Sequence, residues 1–262
     1  MIYRGGKVYA VDSRRGLLVI DAGTDTLVMT VNNEAEGYTY CAIAEAKDGS
    51  VWLTVGKPDG TTSDHIVKFD PATGSTENVA LPDGVYPPTS SWGAWNPDCF
   101  TASDTENAIF WNGATGAYSS GQHIYKYDID KGTTTLLLDF TSEEAPLPYV
   151  YGAACRIKPG TSDLYLSITK GSAWGDESEL RIYSATDGTL KSAYPMLKNY
   201  WYPEMPVFAR PGTPSAITTT EAVAGTHEVA RYSIDGKRIS GAQRGLNIVK
   251  YSDGTVKKIM VK

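Results

Sequence analysis

The sequence predicts an all-β protein: a β-propeller of about four four-stranded blades, followed by a short C-terminal β-module. Three observations carry this. Apolar residues fall in short alternating runs bounded by Gly, Asp, Asn and Pro. These runs recur in pairs at matching places along the chain. No stretch of helical length carries a helical apolar period.

The inner pairs come first. Val51-Trp52-Leu53-Thr54-Val55, Ala108-Ile109-Phe110-Trp111 and Leu164-Tyr165-Leu166-Ser167-Ile168 read as a second strand, B. After a polar loop each is followed by a third, C: Ile66 to Asp70, Ile124 to Asp128 and Leu180 to Ser184. Each strand C runs into a turn, Pro71-Ala72-Thr73-Gly74, Ile129-Asp130-Lys131-Gly132 or Ala185-Thr186-Asp187-Gly188, in which Gly supplies the positive φ and Asp or Thr a local hydrogen bond. Residues 75 to 81, 133 to 139 and 189 to 194 then form the outer strand D. Strand A is read from residues 38 to 46, 92 to 102 and 149 to 158. Residues 7 to 31 give a shorter fourth copy without a clear strand A, whereas Tyr200 to Ala209 resembles a strand A with nothing after it.

Radially repeated four-stranded sheets with a period of roughly 40 to 60 residues bury their faces and leave only short edges. Pairing of the last strand with residues 7 to 31 would close a four-bladed ring. The alternative is the C-terminal part of a larger propeller.

In a propeller the D-to-A connections and the B-to-C loops emerge on one face. The start of strand A is aromatic in each copy: Tyr38 and Tyr40, Trp92 and Trp95, Tyr149 and Tyr151, then Trp201 and Tyr202. Tyr118 and Trp174 lie in B-to-C loops. Such rings can stack on sugars or peptide side chains, so these ten residues form the expected ligand face. They can equally wedge neighbouring blades together.

Cys41, Cys99 and Cys155 occupy equivalent places, each eight residues before the turn into strand B, and read as small packing residues rather than a disulfide framework. His65 and His123 are likewise repeat equivalents. No Ser elbow, paired His or metal-ligand spacing stands out, so neither catalytic residue, metal nor cofactor is expected. The alternative is an extracellular polysaccharide hydrolase or lyase using carboxylates among Asp98, Asp104, Glu106, Asp176, Glu177 and Glu179.

A formal charge of −6 and a pI near 5.1 argue against a nucleic-acid partner. No segment approaches the apolar length that spans a bilayer. Residues 1 to 30 lack a leader pattern, and Lys7 to Val11 already reads as strand, so the chain is expected to start inside the domain.

Residues 211 to 228 are rich in Pro, Ser and Thr and read as a linker between the propeller, 1 to 210, and a tail, 229 to 262. Val229 to Ile234, Gly245-Leu246-Asn247-Ile248-Val249-Lys250 and Lys257 to Lys262 read as three short strands joined by the turns at Asp235-Gly236 and Asp253-Gly254. This tail resembles the C-terminal sorting modules of the Bacteroidetes type IX secretion system. The propeller resembles the YncE-like and NHL-like surface propellers of the same bacteria, through strand C followed by Asp70-Pro71-Ala72-Thr73-Gly74 and through Tyr200-Trp201-Tyr202-Pro203-Glu204. The resemblance implies an extracytoplasmic protein with a binding or scaffolding role. Its expected partner is a carbohydrate or peptide, or an outer-membrane protein complex.

Overall fold

The computed structural model describes residues 1–12, 14–32, 37–57, 62–87, 100–113, 121–143, 148–170, 177–196, 208 and 227–262, with backbone alone for Thr62 and residues 148–154. The chain divides into two compact units, Met1–Pro211 and Gly212–Lys262.

Among the described residues, the first unit holds four antiparallel sheets, each of four strands. Sheet 1 comprises β1 (Ile2–Arg4), β2 (Lys7–Asp12), β3 (Gly16–Asp21) and β4 (Thr26–Val31). Sheet 2 comprises β5 (Thr39–Glu45), β6 (Val51–Gly56), β7 (Thr62–Phe69) and β8 (Thr76–Ala80). Sheet 3 comprises β9 (Phe100–Ala102), β10 (Ala108–Gly113), β11 (His123–Asp128) and β12 (Thr133–Asp139). Sheet 4 comprises β13 (Pro148–Ile157), β14 (Asp163–Lys170), β15 (Ser178–Ser184) and β16 (Leu190–Met196). In every sheet the strands pair in chain order, so strands A to D of the repeat are found in place.

One element departs from the sequence expectation. The first copy has its strand A: β1 pairs Ile2 with Tyr9 and Arg4 with Lys7 across a turn in which Gly5 and Gly6 both take positive φ. It therefore already fills the slot beside β2 that Tyr200 to Ala209 was expected to take in closing a ring. That segment lies outside the described residues except for Phe208, whose ring meets Tyr165 of sheet 4 at 4.9 Å.

Period-two patterning drives the packing, because alternate side chains point to opposite faces, and sheets 2 and 3 bury apolar residues on both. Tyr9, Leu17 and Val19 of sheet 1 pack on Tyr40, Ile43, Leu53 and Phe69 of sheet 2. The other face of sheet 2, with Ala44, Trp52 and Ile66, packs on Phe100, Ile109 and Trp111 of sheet 3. Phe110 and Ile124 of sheet 3, with Phe140 just after its last strand, pack on Cys155, Leu164, Leu166 and Ile168 of sheet 4. Among the described residues these three cores join four sheets in succession.

The C-to-D turns repeat one local solution. The Gly74, Gly132 and Gly188 amides donate to the carbonyls of Asp70, Asp128 and Ser184 at 2.8, 2.9 and 2.8 Å, and the Asp70 carboxylate also accepts from the Ala72 amide at 2.8 Å and the Thr73 hydroxyl at 2.7 Å. Gly74, Gly132 and Gly188 take the positive φ at the matching place. At Gly188 the neighbour also matters, because a Cβ there would lie 2.7 Å from the Leu137 carbonyl oxygen of sheet 3. Gly188→Ala is expected to cost about 2 kcal/mol in urea unfolding, from the strained φ and the lost close approach. A cost within about 0.5 kcal/mol, as at ordinary surface sites, would contradict this.

Among the described residues, the second unit holds one antiparallel sheet ordered β18-β17-β19-β20, formed by β17 (Glu228–Ser233), β18 (Arg238–Ile239), β19 (Gly245–Tyr251) and β20 (Val256–Val261). The sequence shows three of these strands; β18, of two residues, is the addition. Val249 and Asn247 are its buried residues, Asn247 donating to the carbonyls of Gln243 and Gly245.

Candidate functional site

Of the ten aromatic residues expected on the ligand face, Tyr38 and Tyr40 have described side chains. Tyr149 and Tyr151 are placed on β13 by their backbone alone. Trp92, Trp95, Tyr118, Trp174, Trp201 and Tyr202 lie outside the described residues.

Tyr38 and Tyr40 have separate fates. Tyr40 is 1% exposed in the core between sheets 1 and 2, which leaves it no ring face for a ligand. Tyr38, which immediately precedes β5, is half-buried and packs against the rim of the same core. Its ring meets His65 edge-on, with centroids 5.1 Å apart and planes at 82°, and the Lys57 ammonium stands 5.3 Å from its centroid. His65 Nδ1 lies 2.9 Å from an Asp64 oxygen, while its Nε2 is buried with no hydrogen-bond partner among the described residues. That bond to His65 is the chief reason the Asp64 carboxyl sits below its ordinary pKa. Lys57 follows β6 and Asp64 and His65 open β7, so this group clusters at the B-to-C end of sheet 2.

A second polar group lies at the same end of sheet 4. Arg181 on β15 bonds Glu143 through Nη1 at 2.8 and 3.1 Å, Glu179 through Nε at 2.8 Å and the Tyr183 hydroxyl at 3.1 Å. Glu143 follows the 3-10 turn Phe140–Ser142 at the end of sheet 3, so the network ties two sheets together. Lys170 pairs with the other Glu179 oxygen. Burial opposes the Arg181 charge, but the bonds to Glu143, Tyr183 and Glu179 outweigh it and raise its pKa. Burial likewise works to raise Glu179, and the bonds from Lys170 and Arg181 overcome it, holding the carboxyl below its ordinary value.

That placement bears on hydrolysis. A general acid for glycosidic chemistry needs a raised pKa, and Glu179 is held ionised between two cations. Asp104 accepts from the Gly160 amide at 2.9 Å, and Glu106 pairs with Lys126. Asp98 and Asp176 lie outside the described residues. No group of three or more His, Cys, Asp and Glu poised to hold a metal occurs among the described residues. Cys41 and Cys155 are buried at 8% and 1% exposure, in keeping with packing roles.

The opposite end of the sheets carries a feature that the sequence did not single out. Between sheets 1 and 2 a cleft of about 730 Å³ is lined by Arg4, Lys7 and Lys68, against Asp48, Asp70 and Glu77. Its charges balance. Here the A-to-B turns also bond to one another: Arg4 to the Gly49 carbonyl, Lys47 to the Thr105 carbonyl at 3.1 Å, and Asp104 to the Gly160 amide.

Comparison with known proteins supplies the family and the fold. Residues 1–209 match the model of DUF5074, described as a domain of unknown function. No curated protein matches the sequence. Among solved structures, the chain is similar to a quinonprotein alcohol dehydrogenase-like protein from Bacteroides thetaiotaomicron, at 19% identity and a TM-score of 0.50, over 75% of this chain and 45% of that one. It is also similar to dihydro-heme d1 dehydrogenase NirN in complex with DHE, at 11% identity and a TM-score of 0.46, over 98% of this chain and 46% of that one. The first of these is a β-propeller protein, and the likeness to it shows the fold alone. The chain spans less than half the length of each.

Proposed function

We propose that this chain, which belongs to the DUF5074 family, is a non-enzymatic binding or scaffolding propeller that works outside the cytoplasm. Its ligand is a carbohydrate or a peptide, held at the end of the sheets where the B-to-C loops emerge. One observation carries the reading: Tyr38 presents a half-buried ring braced by His65 and flanked by the Lys57 ammonium, at a place the repeat keeps aromatic. A ring held in this way loses little freedom when a sugar or side chain stacks on it. The engagement of Glu179 by Lys170 and Arg181 favours binding over hydrolysis. The secreted location and the sorting role of the tail rest on the resemblance of residues 229–262 and belong to the same proposal.

A glycan array and a peptide library probed with the full chain test this. Stacking on one ring is worth about 0.5–1.5 kcal/mol, so Tyr38→Ala is expected to weaken a genuine hit by roughly 2- to 10-fold. Trp174→Ala and Tyr118→Ala are expected to act in the same direction. An absence of hits, or hits indifferent to all three changes, overturns the reading.

A further inference from the structure

The cleft between sheets 1 and 2 is bounded by three turns: Gly5 belongs to the β1–β2 turn, Gly49 to the β5–β6 turn, and Pro71 and Ala72 to the turn between β7 and β8. Its volume of about 730 Å³ lies within the range of small-molecule sites, about 300–1,000 Å³. Several of its polar groups are held in place by the turns themselves. Asp48 accepts from the Ser50 amide at 2.8 Å, the Ser50 hydroxyl at 2.6 Å and the Asn107 side chain at 3.3 Å. Asp70 accepts from the Ala72 amide and the Thr73 hydroxyl, and Arg4 is held by the Gly49 carbonyl and by Glu45 at 3.3 Å. Groups fixed in this way lose little freedom when a ligand meets them.

Other groups in the cleft are unused. Tyr9 is 4% exposed, its ring packed edge-on against Phe69 with centroids 6.2 Å apart. Its hydroxyl has no hydrogen-bond partner among the described residues, yet it is not one of the sealed polar atoms of the fold, so it opens on the cleft that Tyr9 lines. A buried side chain with an open hydroxyl offers a ligand both a donor and an acceptor. Lys7 stands two residues before Tyr9 on β2 and shares its face, toward sheet 2. Its ammonium, like that of Lys68, forms no ion pair among the described residues.

We infer that this cleft is a second ligand site, for a neutral saccharide, at the end of the sheets opposite to Tyr38. The three cations and three carboxylates that line it cancel, so a charged ligand of either sign finds no excess of the opposite charge. Donors from Arg4, Lys7, Lys68 and Tyr9 stand instead beside acceptors from Asp48 and Asp70. A sugar hydroxyl donates and accepts at once, whereas each group of a peptide backbone has one fixed role. A peptide also needs pockets for its side chains, and the aromatic residues here, Tyr9 and Phe69, are only 4% and 1% exposed.

The full chain is titrated with methyl glucoside, maltose and N-acetylglucosamine, with glucuronate and a blocked triglycine as charged and peptide counterparts, and amide NMR spectra report where each binds. A neutral sugar is expected to shift the amides of Gly5, Gly49 and Ala72, and to bind at least about threefold more tightly than glucuronate. Tyr9→Phe should weaken that binding by about 2- to 10-fold, the range for one hydrogen bond, and should leave the thermal midpoint unchanged because the hydroxyl has no partner in the fold. Tyr38→Ala is expected to leave binding at the cleft as it was. No shift at these amides with any neutral sugar, equal or tighter binding of glucuronate or the triglycine, or indifference to Tyr9→Phe each overturns the inference. Shifts confined to Tyr38, Lys57 and His65 overturn it while leaving the reading of the opposite end in place.

Discussion

Trp111→Ala is expected to destabilise the propeller unit by about 4 kcal/mol and to lower its thermal midpoint by about 10 °C. The side chain is fully buried, packing with Phe100 at 6.4 Å and Tyr125 at 6.0 Å between ring centroids, at the junction of sheets 2 and 3. Its Nε1 donates to the Tyr86 carbonyl at 3.2 Å, so truncation removes a hydrogen bond as well as a large apolar surface. Both sides of the resulting cavity are rigid strands, which limits collapse around it. Tyr194→Ala is the natural control, because Tyr194 is 53% exposed, and its cost should stay within about 0.5 kcal/mol. Urea unfolding of the two variants side by side decides the matter. A cost below about 1 kcal/mol for Trp111→Ala would show that this junction contributes little to stability.

Arg181→Ala is expected to cost about 3 kcal/mol at neutral pH. Removing one partner from a buried ion pair typically costs about 3–5 kcal/mol, and the lower end applies because the Glu143 side chain is 37% exposed and regains water. The loss leaves Glu179, whose side chain is 20% exposed, with Lys170 as its remaining cation. The pH dependence follows from the direction of the Glu179 shift. Its carboxyl lies below its unfolded value in the folded protein, so its contribution is fully present above about pH 4.3, the ordinary Glu value, and is lost as pH falls through the lower folded value. The stability gap between the native protein and the variant should therefore narrow on acidification below that range. Unfolding curves at pH 7 and at about pH 3 measure it, and a gap of constant size would mean that the lost stability came from packing rather than charge.

Strands B and C were legible because each is a run of apolar residues set off by turn chemistry. The four-residue turns after strand C, with Gly74, Gly132 and Gly188 in the same slot, tie the copies together without any alignment. β1 escaped because three residues, Ile2 to Arg4, are too few to display a period, and β18 escaped for the same reason. Their existence depends on pairing with β2 and β17, which is a tertiary fact. The site was legible only in outline. Tyr38 and Tyr40 have the same parity and the same chemistry, and what separates them is depth along the strand, which no residue pattern records. Glu179 and Arg181 stand two apart on one strand, yet the role of Glu179 is set by Lys170 and that of Arg181 by Glu143, 38 residues away in sequence. The balanced cleft between sheets 1 and 2 was invisible because turn carboxylates and lysines look alike whether solvated or gathered around a hollow.

The bonds between successive A-to-B turns link neighbouring sheets in addition to their hydrophobic junctions. Arg4 reaches the Gly49 carbonyl of the next sheet, Lys47 the Thr105 carbonyl of the one after, and Asp104 the Gly160 amide beyond that. Each bond links one sheet to its successor at the end where the turns gather, so every copy brings both its half of the next hydrophobic junction and a polar tie to its neighbour. An array built from such near-neighbour links can gain or lose whole copies without contact between distant parts of the chain.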